Sequence, residues 1–208
     1  LKVSKINDNN IDKIIFDLKK INDKNIRLIH ESIHTLPELN SLFSSKKLNS
    51  FIKKTLQIEK KTLTFINNYS FRIQVPGRDE ISNLPWHRDS LYNNLYIKDN
   101  SIVVWVSLSN ISYEMGPVVF KHGSQKIQNL NKKILYKKNK KKVFSLQRKK
   151  NWLDIKNTIL ETKIGDVFLL DMDIVHKSGA NLSQHKTKLS AQARFHFFTK
   201  KYIKKNLL

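Results

Sequence analysis

The stretch LPWHRDSLY (residues 84–92) sets His87 and Asp89 two positions apart, between Trp86 and Tyr92. Alternate residues of an extended chain point to one face, so this imidazole and this carboxylate can converge on one point. Two such groups hold a metal ion or simply hydrogen-bond to each other, and the pair alone does not decide. A third candidate is His176, in DMDIVHKSGANLS, which follows an apolar run and precedes a Ser-Gly turn. Its ring is expected at a strand end, near the mouth of a barrel. The other histidines fit less well. His30 and His34 lie four apart on a helical pattern, His122 falls in a turn, His185 in a polar loop and His196 on a strand face.

Two imidazoles and one carboxylate on one face of a metal leave the opposite positions open, as in the facial triad of non-haem Fe(II) chemistry. Those positions suit a bidentate 2-oxo acid, such as 2-oxoglutarate, together with O2. The far carboxylate of the oxo acid then needs a cation deep in the barrel. Lys188, twelve residues after His176 and opening the next strand on its polar face, is placed to supply one. The same three ligand types also serve zinc hydrolases. Those want a general-base glutamate, and Glu80 is the glutamate nearest the His87–Asp89 pair in sequence.

The elements that must position these residues show in the hydrophobic pattern. NIDKIIFDLKKI places Ile11, Ile14, Ile15, Leu18 and Ile21 on one face of a helix, and KNIRLIHESIHTL does the same with Ile26, Ile29, Ile33 and Leu36. SSKKLNSFIKKTL is a third helix, with Ser44 or Ser45 as N-cap. From residue 62 the period changes to two. In FRIQV, Phe71, Ile73 and Val75 alternate with Arg72 and Gln74; SIVVWVSLSN reads as a strand buried on both faces. GPVVFKHGS is a short strand between glycines, and IGDVFLLDMDIVH starts at a Gly-Asp turn. KLSAQARFHFF sets Lys188, Ser190, Gln192, Arg194 and His196 against Leu189, Ala191, Ala193, Phe195 and Phe197. That polar face suits a solvated sheet or the lining of a barrel that holds a polar ligand. Short strands behind leading helices predict a helix-backed β-sandwich or barrel of jelly-roll type.

Composition narrows the classes. The chain of 208 residues is long enough for a single domain with a real core. Helical support is expected over 1–58, the β core over 60–198 and a basic insertion, loop-like or partly helical, over 127–152. The absence of cysteine excludes disulfides, thiolate metal sites and a cysteine nucleophile. No signal peptide or apolar run near membrane-spanning length is visible, and a cytoplasmic location is the expectation. Net charge is +22, from 39 Lys+Arg against 17 Asp+Glu. Such charge draws polyanions, although an AT-rich coding bias toward Lys, Asn and Ile yields the same excess.

Taken in order, FRIQVPG, WHRDS, WVSLSNISYEMGPVVFKHGSQK, GDVFLLD and HKSGANLS…KLSAQARF resemble the phytanoyl-CoA dioxygenase (PhyH) family of Fe(II)/2-oxoglutarate oxygenases. The resemblance implies a double-stranded β-helix, a cupin-like jelly roll backed by helices. It makes His87, Asp89 and His176 the iron ligands. Gln74 and Ser178 match positions that hold the cosubstrate, and Lys188 stands where the family carries Arg. Lys offers a point charge instead of a bidentate fork, so weaker 2-oxoglutarate binding is expected. Arg194 is the alternative cation, and Ser190 shares its face. With Asp89 present, where related halogenases carry a small residue, the implied reaction is hydroxylation of a C–H bond with release of succinate and CO2. Arg72, Trp86, Tyr92 and Trp105 are candidates for the substrate mouth, although Trp105 also suits the core. Arg88, alternating away from the ligands, reads as structural.

The lysine-rich segment NKKILYKKNKKKVFSLQRKK (131–150) would favour a small, anionic substrate if it covers the mouth. The competing reading is a non-catalytic basic jelly-roll module that binds a polyanion. Nucleic acid is not the expected partner, because the segment interleaves its lysines with few aromatics, Tyr136 and Phe144.

Overall fold

The computed structural model describes residues 11–34, 36–60, 62–65, 70–77, 84–92, 100–130, 132–138, 141–147 and 150–198. Four helices come first: α1 (Ile11–Ile21), α2 (Asp23–Ile33), α3 (Pro37–Ser44) and α4 (Lys46–Thr55). Ser45 caps α4, its Oγ accepting from Leu48 N at 3.3 Å. Then follow β1 (Thr62–Phe65), β2 (Ser70–Gln74), β3 (Ser101–Ser107), β4 (Val118–Lys121), β5 (Lys132–Lys138) and β6 (Lys141–Leu146). A short helix α5 (Lys150–Leu153) precedes β7 (Asn157–Leu160), β8 (Val167–Asp171), β9 (His176–Ser178) and β10 (Lys188–Phe198).

Apart from the β5–β6 pair, the strands form two antiparallel sheets. In the larger, β10 lies between β3 on one side and both β1 and β2 on the other, with β8 beyond β3. The smaller runs β7–β4–β9. The helices cover the outer face of the large sheet. Leu39, Phe43, Leu48 and Ile52 pack on Ile102, Val104, Val106, Ala191, Ala193 and Phe195. Ile15 packs on Ile73, Val75 and Leu189. Each fully buried side chain of this size contributes roughly 2 kcal/mol, and the alanines of β10 let the helices approach. Between the sheets, Trp105 and Phe168 meet Ile111, Met115, Val118 and Leu160. This is the helix-backed jelly roll the pattern predicts, with β3 buried along its whole length.

Two elements depart from expectation. Within the 131–150 segment, Lys132–Lys138 and Lys141–Leu146 pair as antiparallel strands β5 and β6, and the short helix α5 begins at Lys150. Lysine masks the alternation there, and the register pairs Lys137 with Lys142 and Lys138 with Lys141. Like charges directly opposite oppose strand pairing, so pattern reading favoured a loop. Helix α3 is the other addition, started by Pro37, whose fixed φ and missing N–H suit a first helical turn. Among the described residues, no helix is long and apolar enough to cross a membrane.

Candidate metal centre

The backbone brings His87 and His176 together before any metal is considered. His87 N donates to His176 O at 2.9 Å and His176 N to His87 O at 3.0 Å, an isolated antiparallel bridge. Residues that exchange both bonds point the same way, and the two ring centroids stand 4.2 Å apart. Asp89 arrives differently from the strand alternation expected of it. The chain turns into a short 3₁₀ segment at Asp89–Leu91, anchored by Ser90 N on Met172 O at 3.1 Å. The turn carries the carboxylate to the same point.

Among the described residues, these three form the group that could hold a metal ion, with candidate ligand atoms all within 4.8 Å of one another. Asp89 Oδ1 lies 3.5 Å from His87 Nε2 and 3.7 Å from His176 Nε2. One carboxylate and two imidazoles gathered this closely are a donor set that a divalent metal takes. The second ring nitrogens are already committed. His87 Nδ1 donates to Pro85 O at 2.7 Å and His176 Nδ1 to Ile174 O at 3.0 Å. These bonds fix the tautomer that leaves both Nε2 lone pairs free for a metal.

Electrostatics agree. Burial alone would raise Asp89, but the Arg194 guanidinium beside it holds it well below the carboxylate range. His176 is lowered to about 4, first by burial and then by His87. A charged carboxylate and a neutral His176 imidazole suit a divalent cation. The donor set fits Fe(II).

The other predicted residues gather round this point or elsewhere. Arg194 Nη2 donates to Asp89 Oδ2 at 2.7 Å, so it touches a ligand carboxylate. Lys188 is 5% exposed and donates to Gly116 O; burial lowers its pKa to about 8. Among the described residues no carboxylate pairs with it. Gln74, directly opposite Lys188 in the ladder, donates to Gly179 O at 2.8 Å. Ser190 is buried on the same face, and Ser178 is half-buried on β9, opposite Val118. Tyr92 stands edge-on to His87 with centroids 5.6 Å apart. Trp86 packs on Trp152, under the ammonium groups of Lys121 and Lys177, and Trp105 belongs to the core between the sheets. His30 and His34 pair with each other on α2, and His196 bonds Ser101. Glu80 lies outside the described residues.

Two supports were not singled out in the sequence. Asn181, fully buried, donates to Gln74 O and Lys186 O and accepts from Ser183, which fastens the β9–β10 turn to β2. Gly116, at φ 66°, lies so close to Gly179 and Ala180 that a Cβ would overlap their carbonyls. The G-P and S-G-A-N runs carried the signal, but only the fold shows that they meet.

Comparison with known proteins follows this geometry. Solved structures share the fold at low identity. The epimerase SnoN in complex with Fe3+, alpha ketoglutarate and nogalamycin RO is 15% identical with a TM-score of 0.60, covering 76% of this chain and 58% of that one. EvdO2 from Micromonospora carbonacea var. aurantiaca complexed with 2-oxoglutarate is 17% identical with a TM-score of 0.59, covering 76% and 62%. EctD from S. alaskensis with bound Fe is 15% identical with a TM-score of 0.57, covering 79% and 54%. The chain thus spans a little over half the length of these structures. No curated protein is significantly similar in sequence. The family model for phytanoyl-CoA dioxygenase (PhyH) matches residues 5–188, and the chain belongs to that family.

Proposed function

We propose that this protein is an Fe(II)- and 2-oxoglutarate-dependent dioxygenase that hydroxylates an unactivated C–H bond of a small or medium-sized, anionic substrate. The observation that carries the reading is the prepared triad: two histidines locked as Nδ1–H tautomers and a charged Asp89, all aimed at one point. The iron would supply O2 activation coupled to decarboxylation of the oxo acid to succinate and CO2.

The chain's own residues do the rest. Arg194 holds Oδ2 of Asp89, leaving Oδ1 for the metal. Lys188 offers a buried ammonium to the far carboxylate of the cosubstrate, with Gln74, Ser190 and Ser178 near it. Tyr92, edge-on to His87, would line the entrance for substrate and help exclude water. The lysine hairpin is fastened next to the site, because Leu146 N donates to Trp86 O at 2.9 Å, one residue before His87. A cationic rim there favours an anionic substrate.

The hairpin is also what favours the second reading, a non-catalytic module for a polyanion. Such a module has no use for tautomers fixed toward a shared metal position, so the enzyme reading is preferred. Aerobic incubation with Fe(II) and 2-oxoglutarate is expected to release succinate slowly even without substrate, and His176→Ala to release none. Succinate formation equal in the two proteins, or absent from both, would contradict the proposal.

A further inference from the structure

Strand β2 carries a cation with no partner in the site described so far. Arg72 alternates with Phe71 and Ile73, which pack beneath the helices, so it shares the inward face of Gln74. The register sets it opposite Ser190, one step along the ladder from the Gln74–Lys188 pair. It is partly buried, and its side chain makes no hydrogen bond or ion pair with the described residues. Among the described residues, its surroundings are poor in negative charge. Burial lowers its pKa, Arg194 lowers it further, and Asp89 opposes them. On the α2 side His30 is lowered by burial, by His34 and by Arg72 itself. Asp89 is already engaged by Arg194. A guanidinium cannot shed its charge as a lysine can, so leaving one without a counter-ion here costs stability.

We infer that Arg72 docks an anionic group of the substrate, a carboxylate, phosphate or sulfate held by the guanidinium fork beside the metal. The inference rests on the iron/2-oxoglutarate reading, and the charges of that complex support it. Fe(II) and the dianionic cosubstrate cancel, as do Asp89 and Arg194. Lys188 and Arg72 are left over. Lys188 stands at the Gly116 end of the strand, where the far carboxylate of the cosubstrate would lie. Among the described residues, Arg72 is then left for the substrate, and it would favour an anion from within the barrel, independently of the lysine hairpin.

The test uses Co(II)-substituted protein saturated with 2-oxoglutarate, with inorganic phosphate and acetate as probes and the visible Co(II) bands as readout. Phosphate or acetate is expected to perturb the wild-type bands saturably. Arg72→Gln should weaken that response roughly tenfold and Arg72→Lys only slightly, since Lys keeps the charge but loses the fork. Affinity for 2-oxoglutarate should stay within about twofold in both variants. An equal response in wild type and Arg72→Gln, or none in either, overturns the inference. So does a tenfold loss of 2-oxoglutarate affinity in Arg72→Gln, which would assign Arg72 to the cosubstrate. A wild-type protein that binds Co(II) but not 2-oxoglutarate overturns the functional reading instead, and the same titration on the metal-only protein then decides Arg72 by itself.

Discussion

Arg194 Nη2 lies 2.7 Å from Asp89 Oδ2, while Oδ1 of the same carboxylate faces both imidazoles. The carboxylate is thereby divided: one oxygen is held by the protein and the other is left for a metal. Arg194→Gln should lower metal affinity about 10–100-fold, measured by competition with a metal-sensitive dye. Arg194→Lys should recover part of it. At saturating metal, 2-oxoglutarate affinity should change little; a selective loss there would make Arg194 the cation for the cosubstrate.

Lys188 links stability to pH. Its folded pKa of about 8 lies below the ordinary 10.5, because burial disfavours the ammonium. The folded state therefore gives up this proton first, so stability is withheld below the folded pKa and regained as pH rises from about 8 to about 10.5. Lys188→Met should raise stability at neutral pH by roughly 1–3 kcal/mol, with the gain shrinking toward pH 10.5 in denaturant titrations. Cosubstrate binding moves oppositely: it needs the ammonium, so wild-type affinity for 2-oxoglutarate should decline above about pH 8 and that of the variant should be low throughout.

Arg88 sits between two metal ligands in sequence yet turns away from them. Its Nη2 donates to Ser124 O at 2.6 Å and to Ile127 O at 2.8 Å. Arg88→Ala strands two carbonyls and should destabilise the fold by about 2–4 kcal/mol, read from denaturant midpoints. Metal affinity of the folded fraction should be near that of the wild type.

Gly116 joins stability to the site, because its carbonyl accepts from Lys188 and its Cα faces Gly179. Gly116→Ala adds a Cβ against backbone carbonyls at a positive φ. Thermal denaturation should show a large loss of stability, several kcal/mol on the scale of backbone overlap. Gly123→Ala, also at positive φ but with open space around the added Cβ, should cost much less.

Most of the fold was legible because its strands and helices alternate without exceptions where they face the core. Phe71, Ile73 and Val75 gave β2 its two faces, and the five apolar residues of KLSAQARFHFF gave β10 its outer one. The hairpin was hidden because lysines occupy both of its strands, and charge erases the period that reveals burial. At the site, residue types and spacing offered His87, Asp89 and His176 as candidates, and the family resemblance joined them as a ligand set. The bridge that sets the two histidines side by side, and the pairing of Arg194 with Asp89, were not legible. Each joins residues about ninety to a hundred positions apart through sheet register, which no local pattern encodes.

The central claim is a metal site that takes a 2-oxo acid. Its most direct test is an anaerobic titration of the metal-free protein with Fe(II) and then 2-oxoglutarate, following the visible metal-to-ligand charge-transfer band. The account predicts a band that needs both additions, is lost in His87→Ala and is reached only at higher 2-oxoglutarate in Lys188→Ala. A wild-type protein that binds Fe(II) yet gives no band at saturating 2-oxoglutarate would contradict it.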